Sequence, residues 1–327
     1  MNRIGQFTGM ILIGAAAIGG GAAFAQGAAS YPAKPIRIVV PFPPGAFNDS
    51  LGRMLGQRFQ EAWGQPGVVE NKPGAGSLVG TEFAAKSAPD GYTLLVVALP
   101  FSVLQSLRPH AKLDVTRDFM AVIQAGATPN VLVVHPSLPV QSVQDFIKLA
   151  RTKPGQLAYA SSGSGSSNHL SMEMFKSMTG TDIVHIPYKG SAPAMTDLIA
   201  GQVQAFFDNA PNALPHVRAG KLRALAVTTS ARSSFAPDLP TVSESGVPGY
   251  EITAWFGVVA PAGAPRDIIE KLNGEIQRFL ATPDARDRFQ KAGVEPVGGS
   301  AKQFGDFLHK EVAKWSKVVK DSGAKVE

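Results

Sequence analysis

The chain of 327 residues contains no cysteine. That absence excludes disulfides, thiolate metal sites and attachment of a lipid through an N-terminal cysteine. Beyond its first 25 residues it has no apolar run of membrane-spanning length, and its lysines and arginines are interleaved with acids. The formal net charge of +6 therefore marks no nucleic-acid surface. The 6 histidines show no H-E-x-x-H or comparable ligand spacing, which leaves a metal site unsupported. No G-x-S-x-G elbow is present, and the serine-nucleophile reading loses its usual scaffold.

What is present begins with Arg3, an apolar stretch over residues 10–18 and an A-F-A ending at residues 23–25. These predict a secretory signal peptide over residues 1–25 and a mature, soluble, unlipidated protein of the bacterial periplasm. The remaining length suggests two domains. Short β-like runs at residues 36–40, 68–70, 93–98, 131–135, 157–161, 183–186, 205–208 and 222–228 alternate with helical stripes such as Val143, Phe146, Ile147 and Ala150. This alternation predicts βαβ units and mainly parallel sheets. Two loops, residues 126–130 and 246–253, are placed to cross between domains. The expected division is a discontinuous lobe of residues 31–127 and 252–327 and a second lobe of residues 128–251, able to close over a cleft.

The most informative loop follows the run at residues 36–40. A Pro/Gly turn leads into a helix whose apolar stripe is Leu51, Met54, Leu55, Phe59 and Ala62, with Asn48 or Asp49 at the expected N-cap. The first N–H groups of such a helix lack carbonyl partners and favour an anion. Pro44, Gly45, Ala46, Phe47, Asn48 and Asp49 are therefore candidate anion-binding residues, although an ordinary βα turn accounts for the same pattern. Residues 71–80 match a dinucleotide fingerprint only loosely, and Gly76 is better read as allowing close backbone approach. The serine-rich loop at residues 159–169 offers a second anion cradle in Ser162, Gly163, Ser164, Ser166, Ser167 and His169, where the histidine reads as a capping or packing residue. Tyr188 and Lys189, then Asp208 and Asn209, end two further strands at the edge where open α/β sheets hold ligands, a place that solvated turns also occupy.

Taken together, residues 31–45 (YPAKPIRIVVPFPPG), 69–76 (VENKPGAG), 88–95 (APDGYTLL), 159–163 (YASSG), 185–190 (HIPYKG), 207–209 (FDN), 220–227 (GKLRALAV) and 255–257 (WFG) resemble the Bug family. These are the periplasmic solute-binding receptors of tripartite tricarboxylate transporters. The resemblance implies an α/β fold of the two-lobed periplasmic binding protein type, a type II-like Venus flytrap with a ligand cleft between the lobes and no catalysis. It implies capture of an organic carboxylate, held largely by main-chain amides and ordered water from the loops at residues 44–49 and 162–169. It also implies delivery to integral-membrane permease subunits, with no cofactor, metal or nucleic acid, by a monomer. Phe47, Phe101 and their neighbours Leu99 and Leu104 depart from the family pattern and point to an acid with an apolar, even aromatic, body. Asp49 is expected to organise the first loop, since a carboxylate facing an anion would repel it. The rival readings are a ligand-binding sensor subunit and a secreted α/β hydrolase using Ser164 or Ser166.

Overall fold

The computed structural model describes residues 30–322, so the signal peptide expected over residues 1–25 lies outside the described residues. The chain opens with β1 (Ile36–Val40), α1 (Phe47–Trp63), β2 (Gly67–Asn71), a 3₁₀ turn (Ala75–Ser77), α2 (Leu78–Ala85), β3 (Thr93–Ala98) and α3 (Leu99–Leu107). It then enters β4 (Phe119–Val134), followed by α4 (Val143–Thr152), β5 (Ala158–Ser161), α5 (Ser167–Thr179), β6 (Val184–Pro187), α6 (Ser191–Ile199), β7 (Ala205–Asn209), α7 (Ala210–Arg218) and β8 (Arg223–Val227). The return leg carries β9 (Thr253–Pro261), α8 (Arg266–Ala281), α9 (Pro283–Lys291), β10 (Glu295–Gly298) and α10 (Ala301–Ser322).

The strands run in the order β2-β1-β3-β9-β4-β7-β5-β6, with β8 and β10 also paired to β4. Pairings β1–β2, β1–β3, β5–β6 and β5–β7 are parallel, but every pairing of β4 and β9 is antiparallel. The expectation of mainly parallel sheets thus holds only for the outer strands. A second correction concerns residues 126–130, which form no loop. β4 runs straight through them, pairing with β9 as far as Pro129 and with β7 from Asn130 onward. Gly126 serves packing: a Cβ there would meet Val294 at 2.7 Å and Phe289 at 2.9 Å. On the return leg Thr228 donates to Asn130 O and Ile252 donates to Thr228 O, stitching the second connection beside the first.

Local sequence explains these elements. The TLLVVA of β3 is buried along its whole length, as a central strand covered on both faces requires. In α1, Leu51, Met54, Leu55 and Phe59 fall on one buried face, each large side chain contributing about 1.5–3 kcal/mol of burial free energy. That helix stops at Gly64, whose φ of 72° lets its N–H cap Gln60 O. Its start is two to three residues earlier than the N-cap expected at Asn48 or Asp49. Ala46 is the N-cap and makes no side-chain bond, while Asp49, in the first turn, reaches back to the Gly45 N–H in place of a capping hydroxyl. Finally α10 packs on α3, α5 and β4 through Phe304, Leu308, Val312, Trp315 and Val319, spacing that suits one helical face. Buried Glu311 accepts both indole N–H groups, Trp255 at 3.1 Å and Trp315 at 2.9 Å, and fastens this helix to β9.

Candidate ligand-binding site

The C-terminal ends of β1, β2, β3 and β5 open on one cleft of about 390 Å³. One wall is residues 41–43, then Pro73, Gly74, Gly76 and Ser77, then Pro100; the other is residues 162–166. Among the described residues no charged side chain lines it. An anion entering this space would have to be met by hydroxyls, backbone N–H groups and helix N-termini. Four helical segments start at its edge, and α1, α2 and α3 have no side-chain cap bond. Each such N-terminus favours negative charge by about 0.3–1 kcal/mol, more where partly buried. The second loop is also strained: Ala75 (φ 49°) and Ser77 (φ 81°) are left-handed without being glycine, and the buried Ser77 hydroxyl has no hydrogen-bond partner among the described residues.

Asp49 governs the first loop from behind. Its carboxylate accepts from Gly45 N at 3.2 Å, from Arg53 Nε and Nη2 at 3.0 Å each, and from Asn71 Nδ2 at 2.9 Å. Asn71 also donates to Phe42 O at 3.1 Å, so the end of β2 is tied to a residue lining the cleft. The Arg53 hydrogen bonds, against the cost of burial, hold Asp49 below the ordinary carboxylate range. A lowered folded value means that this contribution is present above the unfolded value and is lost as pH falls through the folded one. Because the Arg53 side chain is 59% exposed, solvent screens the ion pair and it adds little to stability. Asp49→Asn is therefore expected to leave the fold intact while the Gly45 and Ala46 amides exchange several-fold faster. Unchanged exchange at both would show that Asp49 does not hold the loop.

In the third loop Ser166 caps α5: its Oγ accepts from His169 N at 3.3 Å and donates to Gly163 O at 2.7 Å. Ser162 Oγ bonds Asn168 Oδ1, and Asn168 Nδ2 donates to Phe207 O at 2.7 Å and to Asp208 Oδ1 at 3.1 Å. Asp208 also accepts from Asn209 N at 2.8 Å and from Ser191 Oγ, which gathers the starts of α5, α6 and α7 around one carboxylate. Burial pushes it up to about 6 despite these donors. His169 Nδ1 accepts from Gly165 N at 3.1 Å, and burial lowers its pKa to about 4. With Ser166 Oγ committed to a carbonyl and His169 to an amide, this pair makes no nucleophile and base.

Of the sequence-nominated residues, Gly76, Ser162, Gly163, Ser164 and Ser166 line the cleft, and Pro44, Gly45 and Ala46 are exposed beside it in the chain. Asn48 and Asp49 are buried behind that loop, Ser167 opens α5, and His169 and Asp208 support the far wall from beneath. Asn209 is the N-cap of α7, with its Oδ1 buried and unpaired among the described residues. Tyr188 directs its hydroxyl to Asp197 at 2.8 Å, and burial raises it to about 12; Lys189 is exposed. The expected aromatic wall is not built. Phe47 packs its ring on Phe256 (4.6 Å) and Phe289 (5.1 Å), one turn before Leu51 on the core face of α1, and Phe101 packs edge-on against Phe119 at 5.4 Å in the core. Pro41, Phe42, Pro43, Pro73, Ser77 and Pro100 were not nominated from the sequence; for the four prolines the signal was proline shortly after a strand or at a helix start.

Residues 51–324 match the family model described as tripartite tricarboxylate transporter family receptor. The chain is 41% identical over 300 residues to protein BugT of Bordetella pertussis, covering 91% of this chain and 92% of that one. It is also similar to a solved R. palustris protein with adipate, at TM-score 0.79 and 39% identity, covering 91% of this chain and 100% of that one. A third similarity is to MatC from Rhodopseudomonas palustris with bound malate, at TM-score 0.77 and 30% identity, with coverage of 88% and 100%.

Proposed function

Because this chain belongs to the tripartite tricarboxylate transporter receptor family, we propose that its cleft holds a small organic acid by main-chain N–H groups of residues 46–48 and of Ser162, Ser164 and Ser167, those of Gly45, Gly163, Gly165 and Ser166 being used within the loops. The protein is a periplasmic solute-binding receptor for an organic carboxylate and not an enzyme. The single observation that carries the residue assignment is the uncharged lining, set among helix N-termini. Charge-assisted bonds to backbone N–H contribute about 1.5–3 kcal/mol each, so three or four of them offset the desolvation of one carboxylate without a counter-ion. With Phe47 and Phe101 turned into the core, apolar contact falls to Phe42 and the prolines, which suits an aliphatic chain between two acids. Two similar proteins were solved with adipate and with malate, and an aliphatic dicarboxylate is the ligand class assigned.

The lobes are assigned as residues 31–127 with 252–327, and residues 128–251, in keeping with the change of β4 partners between Pro129 and Asn130. Ligand bridging both walls would favour a closed form, which the permease subunits would read. Export by the segment at residues 1–25 and action as a soluble monomer complete the reading; among the described residues no helix is long and apolar enough to cross a membrane. Calorimetry on ligand-stripped protein tests the ligand class. Adipate, malate, succinate, citrate and benzoate are compared with adipamide. One or more dicarboxylates should bind with one-to-one stoichiometry at micromolar affinity or better, and the diamide should not. Equal binding of adipate and adipamide would overturn recognition by charge.

A further inference from the structure

Behind the third loop two imidazoles are stacked, His169 of α5 on His185 of β6, with ring centroids 4.3 Å apart and planes 25° from parallel. His185 stacks in turn on Tyr159 of β5 at 4.8 Å. Each histidine reaches the cleft-lining backbone. His169 Nδ1 accepts the Gly165 N–H directly, which only an unprotonated nitrogen can do. His185 Nε2 lies 2.6 Å from Ser161 Oγ, the same hydroxyl that accepts the Gly163 N–H at 3.2 Å. We propose that His169 and His185 are positioning residues: neutral, they hold the backbone of residues 163–165 in its ligand-receiving form, and protonation of the pair releases that loop and the ligand with it.

The surroundings fit such a switch. The charged and titratable groups facing the pair are Glu173 and Lys176 from α5 and Tyr159 from β5. Glu173, bonded by the Tyr159 hydroxyl at 2.6 Å and by Lys176 Nζ at 2.7 Å, favours an imidazolium, but burial and the Lys176 charge outweigh it. Burial lowers both histidines to about 4, and for His185 the neighbouring imidazole opposes a charge further. Since the folded values lie below the unfolded one, the support is present above pH ~6.5 and is lost as pH falls through ~4. The inference rests on the reading of residues 162–167 as half of the binding site.

Two readouts on the ¹⁵N-labelled mature protein, taken from pH 7 to 3.5, separate it from that reading. Protection factors of the Gly163 and Gly165 amides report the loop without ligand, and calorimetry with adipate reports the site. The expected result is constant protection down to about pH 5 and a loss of roughly tenfold or more by pH 3.5, with circular dichroism unchanged. His185→Phe keeps a stacked ring but can neither titrate nor bond Ser161. It should lower Gly163 protection at pH 7 and leave the acid loss at Gly165, which His169 carries; His169→Gln, whose Oε1 can accept the Gly165 N–H without titrating, should flatten that loss. Adipate protonation is common to wild type and variants and cancels in the comparison. Protection independent of pH in the wild type, unchanged Gly163 protection in His185→Phe, or an acid loss at Gly165 identical in His169→Gln, would overturn the proposal. Failure of adipate to bind at any pH would count against the ligand assignment alone, because exchange still decides the role of the histidines.

Discussion

Gly80→Ala is expected to lower both stability and ligand affinity, by about 1–3 kcal/mol and about tenfold. Gly80 lies in α2, where a Cβ would sit 2.7 Å from Pro41 Cβ, 2.8 Å from Lys72 O and 2.9 Å from Pro41 Cα. Two of these atoms are backbone, one just after β1 and one just after β2. Relief requires the first and second cleft loops to part, and overpacking of this kind costs about 1–3 kcal/mol. Alanine's helix propensity returns about 1 kcal/mol at most. Gly274→Ala is the matched control: it lies inside α8, where the added methyl meets only Arg278 Nη1 at 3.8 Å, and it should be neutral or stabilising. Urea denaturation and calorimetry on both variants check the pair. Wild-type stability and affinity in Gly80→Ala would mean that contact between α2 and Pro41 does not set the cleft.

Asp208→Ala should be the most destabilising single change near the site, by about 3–5 kcal/mol. Its carboxylate is 1% exposed and receives Asn168 Nδ2, Asn209 N and Ser191 Oγ; truncation takes this acceptor from the Asn209 N–H and the Ser191 hydroxyl, leaves Asn168 with Phe207 O alone, and opens a void among the starts of three helices. Asp208→Asn keeps one acceptor oxygen, and the Ser191 hydroxyl can rotate to accept, so about half that loss is expected. The pH dependence has a definite sign. Burial raises Asp208 to about 6, above its unfolded value, so its contribution is full below pH ~3.8 and declines as pH rises through ~6. The gap between wild type and Asp208→Asn, measured by urea midpoints, should narrow from pH 4 to 7. A gap that widens over that range would mean that the helix N-termini outweigh burial and hold the group ionised.

Much of the fold was legible because burial dictates composition. β1 and β3 coincide with apolar runs, and the α8 stripe of Ile268, Ile269, Leu272, Ile276 and Leu280 is buried as its spacing requires. What failed depended on distant partners. Residues 126–130 look like a turn because Gly and Pro stand there, yet Gly126 is dictated by the approach of Val294 and Phe289, and Pro129 falls where β4 exchanges β9 for β7. The third cleft loop could be read from its small residues alone. Phe47 and Phe101 could not, since their directions are set by Phe256, Phe289 and Phe119, all outside their own segments. Phe47 did carry one local clue, its position four residues before Leu51 on the buried face of α1.

The central claim is that this receptor meets an anion with backbone and not with a charged side chain. A crystal structure of the protein with whichever dicarboxylate binds tightest in the calorimetric panel tests it most directly. The predicted result places carboxylate oxygens within about 2.7–3.2 Å of main-chain N–H groups of residues 46–48 and of Ser162, Ser164 or Ser167, directly or through one water. A ligand carboxylate paired instead with Lys72, Lys189 or Arg53, with those amides unengaged, would contradict it.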